Sequence, residues 1–167
     1  MQLIVMGVSG SGKSTLAALL VQRLGWVMAE GDDYHSAENK AKMAAGVPLN
    51  DEDRQPWLDA LHEVLAGWQA RNVNGVMTCS ALKDVYRKRL SEGLDEVRFV
   101  WLDPPRKALE ERLEQRTGHY MNPQLLDSQL ETLEAPTGLN VLHAAGESNA
   151  ETLADRVMAW IVNPHAA

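Results

Sequence analysis

The sequence contains a single cysteine, Cys79. One cysteine excludes an intrachain disulfide, and such scarcity is typical of proteins in a reducing compartment. Cys79 ends an apolar run, and no base lies near it in the sequence. We therefore interpret Cys79 as a small buried side chain rather than as a nucleophile.

The sequence also lacks an excess of positive charge. Lysine and arginine number 16 against 23 aspartates and glutamates, which gives a net charge of −7. Proteins with extended nucleic-acid surfaces usually carry a basic stripe, so we expect no nucleic-acid partner. An acidic protein can still bind a small anion through a local loop and a few cations.

Targeting segments and long apolar runs are missing too. The N-terminus has no basic segment, and its first apolar run ends at Gly7, which is unlike a signal peptide. No stretch is long enough to span a membrane. We expect a cytoplasmic protein without a membrane partner. Its 167 residues show no repeat, linker or low-complexity segment, and they suit one domain, residues 1–167.

What the chain does contain is an alternation of short apolar runs and amphipathic segments. The apolar runs predict five β-strands, at residues 3–6, 26–29, 75–79, 97–102 and 141–144. Helices are predicted between them, including one that stops at Gly25 and one whose apolar stripe runs from Trp57 to Trp68. This pattern predicts an α/β fold: a three-layer α/β/α arrangement around a five-stranded parallel sheet.

Residues 7–14 read GVSGSGKS and match the P-loop pattern between a strand and a helix. Such a loop directs backbone N–H groups and a helix N-terminus at a polyphosphate. Lys13 would reach the terminal phosphates, and the Ser14 hydroxyl would ligate Mg²⁺. A purely structural glycine turn is disfavoured by the Lys-Ser ending and both flanking elements. The predicted ATP-binding residues here are Gly7, Val8, Ser9, Gly10, Ser11, Gly12, Lys13, Ser14 and Thr15.

Polar residues follow the second predicted strand. Because ligands gather at the carboxyl ends of parallel strands, Asp32, Asp33 and His35 should lie beside the phosphate loop. We favour Asp32 as the chemical residue, and either Asp33 or Ser36 as the N-cap of the short helix that follows.

The basic residues Arg54, Lys83 and Arg87 each have two possible roles, a structural one and a ligand-binding one. Arg54 would either pair with an acidic neighbour at the helix start or bind an anionic substrate. Lys83 and Arg87 follow the third strand, so they would either form a solvated face or bind an anionic or polyol ligand.

The C-terminal half predicts a lid. Arg112 and Arg116 are one helical turn apart, so they share a face. Residues 117–138 form a helical segment bounded by Gly and Pro, which is typical of a lid. Together with the excursion at residues 36–58, this organisation predicts a small-molecule kinase in which Lys13, Arg112 and Arg116 neutralise phosphate charge. Backbone contacts near the fifth strand and the start of the lid would form the adenine pocket.

Specific residues and motifs recur along nearly the whole chain: MGVSGSGKST at 6–15, EGD at 30–32, His35, Asn39, Lys42-Met43, Gly46, Pro48-Leu49, Asp51, Asp53-Arg54, PWL at 56–58, CSALK at 79–83, Tyr86-Arg87, Gly118-His119, Met121, Leu125-Leu126, Ser128-Gln129 and TLE at 132–134. In these motifs the chain resembles, nearly end to end, the gluconokinases of the P-loop kinase superfamily. Three departures are Ser91 where many members carry Arg, Tyr120 where Phe is usual, and Asn122 where Pro is common.

The resemblance implies ATP- and Mg²⁺-dependent phosphorylation of D-gluconate at its 6-hydroxyl, and it suggests a homodimer. Asp32 would orient the attacking hydroxyl and accept its proton. The remaining residues implied to bind substrate are His35, Arg54, Lys83, Arg87 and His119, and Arg116 is implied in catalysis. Which cation holds the carboxylate stays open.

Two other functions compete with this one. The first is another P-loop metabolite kinase, acting on shikimate or a nucleoside monophosphate. The second is a nucleotide-binding switch of the GTPase type, which usually carries Asn-Lys-x-Asp. Residues 39–42 read NKAK, which lacks the aspartate and occurs too early in the chain.

Overall fold

Five strands of the chain form one parallel sheet in the order β2-β3-β1-β4-β5. The computed structural model describes residues 1–115, 123–146 and 149–163. Its elements are β1 (Gln2–Met6), α1 (Lys13–Leu24), β2 (Val27–Glu30), a 3₁₀ turn (Gly31–Tyr34), α2 (Ala37–Ala44), α3 (Asp51–Ala70), β3 (Gly75–Cys79), α4 (Asp84–Ser91), β4 (Val97–Asp103), α5 (Arg106–Glu114), α6 (Pro123–Thr132), β5 (Val141–Ala145) and α7 (Ala150–Val162). The predicted fold class is confirmed.

The central strands explain why the apolar runs are continuous. All five residues of β1 and all five of β3 are buried, because helices cover both faces of a parallel sheet. In the register of the sheet, Met6 is paired with Cys79 on one side and with Trp101 on the other. The carboxyl ends of β1, β3 and β4 therefore lie side by side, and the chain leaves all three at the same edge.

Alternate residues of β1 belong to two separate hydrophobic cores. Leu3 and Val5 pack in the core that α1 and α7 cover. Ile4 and Met6 pack in the core that α3 and α4 cover, and α5 and α6 each contribute a buried leucine to it. This period of two is what a strand between two layers requires. The result is a three-layer arrangement in which the sheet separates the two cores.

Helix ends follow the local signals, with two refinements. Gly25 adopts the left-handed conformation that ends α1. Ser36, not Asp33, caps α2: its side chain accepts a hydrogen bond from the Asn39 N–H, whereas Asp33 lies within the 3₁₀ turn. Helix α3 starts at Asp51, and Pro56 lies inside its second turn. Because proline has no backbone N–H, the Glu52 carbonyl oxygen receives no helical bond from position 56, and α3 nevertheless continues to Ala70.

Cys79 is 1% exposed at the end of β3. Burial raises the pKa of its thiol to about 12, because the thiolate would lose its hydration. The expectation of a small buried side chain is confirmed. Among the described residues, no helix is both long and apolar enough to cross a membrane.

Candidate active site

Residues 7–14 connect β1 to α1 in a turn that needs glycine. Gly7, Gly10 and Gly12 all have positive φ angles. A Cβ on Gly7 would lie 2.7 Å from the Leu102 carbonyl oxygen and 2.9 Å from the Ser11 Oγ. Within the described part of the chain, Gly12 starts α1 without a side-chain cap, and the first turn carries no acidic residue. The helix N-terminus thus keeps its positive potential for an anion.

Basic side chains contact the backbone of this loop. Lys13 Nζ donates a hydrogen bond to the Val8 carbonyl oxygen at 3.0 Å. From α5, Arg112 Nη1 lies 3.5 Å from the Gly10 oxygen and 3.4 Å from the Ser11 oxygen. The structure therefore brings Lys13 and Arg112 to the same loop. Arg116 and His119 lie outside the described residues.

Ser14 is linked to two residues to which the sequence pattern assigned no role. Its Oγ donates to Glu30 Oε2 at 3.1 Å, and Thr78 Oγ1 donates to the same oxygen at 2.5 Å. Glu30 and Thr78 are paired in the sheet register, so the fold places their side chains together. In the sequence, Glu30 belongs to the EGD motif at 30–32, whereas Thr78 is marked only by its position near the end of a predicted strand.

This oxygen set fits Mg²⁺. Hydroxyl and carboxylate oxygens are the ligands that Mg²⁺ prefers, and it usually takes only one or two from the protein beside waters and substrate phosphates. In the described ranges, no group of three or more His, Cys, Asp or Glu side chains could hold a metal ion. A site that is completed by substrate phosphates is consistent with both observations.

Asp32 is exposed on the 3₁₀ turn after β2. The residue before it, Gly31, is held by hydrogen bonds at both its N–H and its carbonyl oxygen. The Gly31 N–H donates to Thr78 Oγ1 at 3.2 Å, and Trp57 Nε1 donates to the Gly31 carbonyl oxygen at 2.8 Å. A Cβ on Gly31 would lie 2.2 Å from the Thr78 carbonyl oxygen, so only glycine fits. The turn that presents Asp32 is therefore rigid at its base.

His35 is 7% exposed and stacks on Trp57, with ring centroids 4.2 Å apart. Burial, opposed by Asp32 and aided by the charges of Arg54 and Lys40, lowers the pKa of its imidazole to about 4. Its Nδ1 has no hydrogen-bond partner among the described residues. At neutral pH His35 is an uncharged side chain with an unsatisfied nitrogen.

Three candidate cations differ in how they are engaged. Arg54, 9% exposed, donates only its Nε to the Leu49 carbonyl oxygen at 3.3 Å, and its terminal nitrogens bond no described residue. Lys83 Nζ forms an ion pair with Asp51 at 2.8 Å, and that bond raises the pKa of Lys83. Arg87 Nη1 donates to the Ala81 and Leu82 oxygens at 2.9 and 3.1 Å. Arg54 therefore has the most unused donor capacity.

Burial also sets the character of Arg87. The side chain is 6% exposed, and burial lowers the pKa of its guanidinium, against the opposing charges of Asp84 and Glu134. Its two carbonyl bonds hold the β3–α4 loop, in which Ala81 has a φ of 44°. Arg87 thus supports the loop that presents Lys83.

A hydrogen bond links the phosphate loop to the segment that carries Asp32, because the Ser14 Oγ donates to Glu30, two residues before Asp32, at 3.1 Å. Asp32 raises the pKa of the buried Cys79 thiol and Lys13 and Arg54 lower it, so all three charges act on the end of β3. Beside the loop, a small cavity is lined by Ser11, Asp103, Arg112 and Gly146, between β4, β5 and α5.

Comparison with known proteins decides the family. The AAA domain family matches residues 3–136. A Rattus norvegicus protein named probable gluconokinase is 43% identical over 181 residues, which cover 93% of this chain and 95% of that protein. The chain belongs to the gluconokinase family. The gluconokinase of Gluconobacter oxydans (strain 621H) is 42% identical over 157 residues, which cover 93% of this chain and 88% of that protein.

A solved structure agrees. The crystal structure of a gluconokinase from Sinorhizobium meliloti 1021 superposes with a TM-score of 0.86 at 39% identity, covering 96% of this chain and 91% of that one. The resemblance that the motifs indicated is confirmed, and the chain is a P-loop kinase.

Proposed function

We propose that the protein transfers the γ-phosphoryl group of ATP to the 6-hydroxyl of D-gluconate. The observation that carries the proposal is the hydrogen bond from Ser14 of the phosphate loop to Glu30, two residues before Asp32, in a chain of this family. The O6–phosphorus bond forms, the bond from the γ-phosphorus to the β,γ-bridging oxygen breaks, and the products are 6-phospho-D-gluconate and ADP.

On the donor side, the phosphate loop cradles the ATP phosphates with backbone N–H groups. Lys13 places a positive charge at the terminal phosphates, and Arg112 and Arg116 add to it. Ser14 would hold Mg²⁺, with its hydroxyl fixed by Glu30, whose carboxylate is in turn held by Thr78. When bound, Mg²⁺ neutralises charge on the phosphate oxygens.

On the acceptor side, Asp32 accepts the proton of the attacking hydroxyl. It is an exposed carboxylate on a turn whose base is held by Thr78 and Trp57, so its position is stable while its oxygens stay accessible. A general base needs this combination of fixed geometry and access to the substrate.

Arg54 is the cation that we assign to the gluconate carboxylate. A planar guanidinium with two uncommitted terminal nitrogens can bind a carboxylate in a bidentate manner. The Asp51 ion pair occupies Lys83, and backbone carbonyls occupy Arg87, so we assign them to the walls of the substrate site. The uncharged His35 is assigned to a substrate hydroxyl, together with His119.

A lid at residues 117–138, anchored on the core through Leu126, Leu130 and Leu133, completes the proposal together with a single domain, a homodimer and a cytoplasmic location. The lid would exclude water, which otherwise competes with gluconate for the phosphoryl group.

The test is a coupled assay of ADP release with ATP and a panel of acceptors: D-gluconate, other sugar acids, shikimate and nucleoside monophosphates. We expect D-gluconate to be phosphorylated far faster than the rest. Turnover of another acceptor without turnover of D-gluconate would overturn the proposal.

A matched pair of variants tests the carboxylate assignment. Arg54→Ala should raise the KM for D-gluconate by about 10²-fold, since a charge-assisted pair is lost, while the KM for ATP stays unchanged. Lys83→Ala should raise the KM for D-gluconate much less than Arg54→Ala does. Equal effects of the two variants would contradict the choice of Arg54.

A further inference from the structure

One short segment bonds to both halves of the candidate site. It comprises residues 129–134, the last turn of α6 and the residues after it, and is named the brace below. At its start, the Gln129 Oε1 accepts a hydrogen bond from the Ser9 backbone N–H at 2.7 Å. Ser9 lies inside the phosphate loop, 120 positions away in the chain. The brace therefore holds the donor loop directly.

The other end of the brace holds the acceptor side. The Glu134 N–H donates to the Leu82 carbonyl oxygen at 2.8 Å, and the Glu134 Oε2 accepts from the Asp84 N–H at 2.6 Å. These two bonds flank Lys83 in the β3–α4 loop. The same loop contains Ala81 in a left-handed conformation.

Apolar packing anchors the brace between these ends. Leu130 and Leu133 pack against the core on the α3 side of the sheet, and Leu126, one turn earlier on α6, is 2% exposed. An anchored helix turn moves as a unit. Any displacement of one loop relative to the other must therefore break a hydrogen bond or shift the core.

We propose that the brace sets the distance between the phosphate loop and the β3–α4 loop, with Gln129 and Glu134 as positioning residues. This inference rests on the proposed function, in which the first loop holds the donor and the second borders the acceptor. In-line transfer depends on the relative placement of two substrates, and a displacement of 1 Å can cost about 10²-fold in rate. Neither residue touches the reacting atoms in this assignment.

The first measurement is amide hydrogen exchange at Ser9, which reports its bond without any substrate. Gln129→Met keeps the length of the side chain and removes the acceptor, so exchange at Ser9 should become about tenfold faster. Gln129→Asn, one methylene shorter, gives the same expectation if the Met variant folds poorly. Glu131→Gln, an exposed position on the same helix, is the control and should leave Ser9 unchanged.

The second measurement is kinetic. Gln129→Met should lower kcat about tenfold, with the KM for D-gluconate changed less than about twofold, because alignment is lost and acceptor contacts remain. Glu134→Ala should lower kcat similarly and speed exchange at Asp84. Glu134→Gln keeps an acceptor oxygen and should restore both values.

Unchanged exchange at Ser9 in both Gln129 variants would overturn the inference. So would a fall in melting temperature without a fall in kcat, since that pattern belongs to a purely structural contact. If the wild-type protein does not phosphorylate D-gluconate, the proposed function fails, and kcat is then measured with whichever acceptor reacts. The exchange data at Ser9 and Asp84 test the brace in either case.

Discussion

Lowering the pH should destabilise this protein through His35. In the folded protein, burial lowers the pKa of His35 to about 4, whereas in the unfolded chain it returns to about 6.5. Above pH 6.5 the imidazole is neutral in both states and adds no pH dependence. Between pH 6.5 and pH 4 only the unfolded chain binds the proton. The free energy of unfolding therefore falls as the pH falls through this window.

The structure sets the size of the effect. Each pH unit within the window changes the free energy of unfolding by about 1.4 kcal/mol per proton taken up. From pH 6.5 to pH 5 the loss is about 2 kcal/mol, and over the whole window it is about 3 kcal/mol. With His35 only 7% exposed and stacked on Trp57, solvent screening is small. A loss of this size is a large fraction of the stability of a typical domain.

The assay compares urea unfolding of the wild-type protein and His35→Phe between pH 8 and pH 5. Phenylalanine keeps an aromatic stack on Trp57 but cannot titrate, and other titrating groups cancel in the difference. The difference in unfolding free energy should be constant above pH 7 and shift by about 2 kcal/mol in favour of the variant at pH 5. Parallel curves down to pH 5 would refute a depressed His35 pKa.

Three further predictions concern the site. Lys13→Ala should lower kcat by about 10²–10³-fold with an unchanged circular dichroism spectrum; wild-type turnover would refute the role of the lysine. Asp32→Asn should lower kcat by about 10²–10⁴-fold and leave the KM for ATP unaltered, because the base acts on the acceptor; an unchanged kcat would transfer that role to another residue. Gly31→Ala should destabilise the fold by several kcal/mol, about 3 or more, because its Cβ would lie 2.2 Å from the Thr78 oxygen. Gly67→Ala on α3, where a Cβ meets only the Arg71 terminal nitrogen at 4.0 Å, should instead stabilise by up to about 1 kcal/mol. Equal melting temperatures of these two glycine variants would contradict the steric argument.

Local chemistry made much of this protein predictable. Apolar runs buried on both faces predict strands, and β1 and β3 are buried at every position. Gly25 ends α1 where the pattern indicates, because only glycine enters the left-handed region without strain. The phosphate loop is equally local, since its glycines shape the backbone and its lysine and serine side chains come from the same eight residues.

Contacts between distant segments were not predictable in the same way. Both Asp33 and Ser36 are residue types that suit an N-cap. Because Asp33 lies within the 3₁₀ turn, Ser36 is the residue that caps α2. The bond from Thr78 to Glu30 depends on the β2–β3 register, and that from Ser9 to Gln129 on the docking of α6.

The sequence by itself determined that a P-loop joins β1 to α1, because eight consecutive residues carry the whole pattern. Only the tertiary structure decided which cation stays available to an acceptor. Arg54, Lys83 and Arg87 have similar charges and equally plausible positions in the sequence. Asp51 then neutralises Lys83, and the Ala81 and Leu82 carbonyls engage Arg87. The tertiary structure determines which hydrogen-bond partners each cation has, so residue type alone could not distinguish the three.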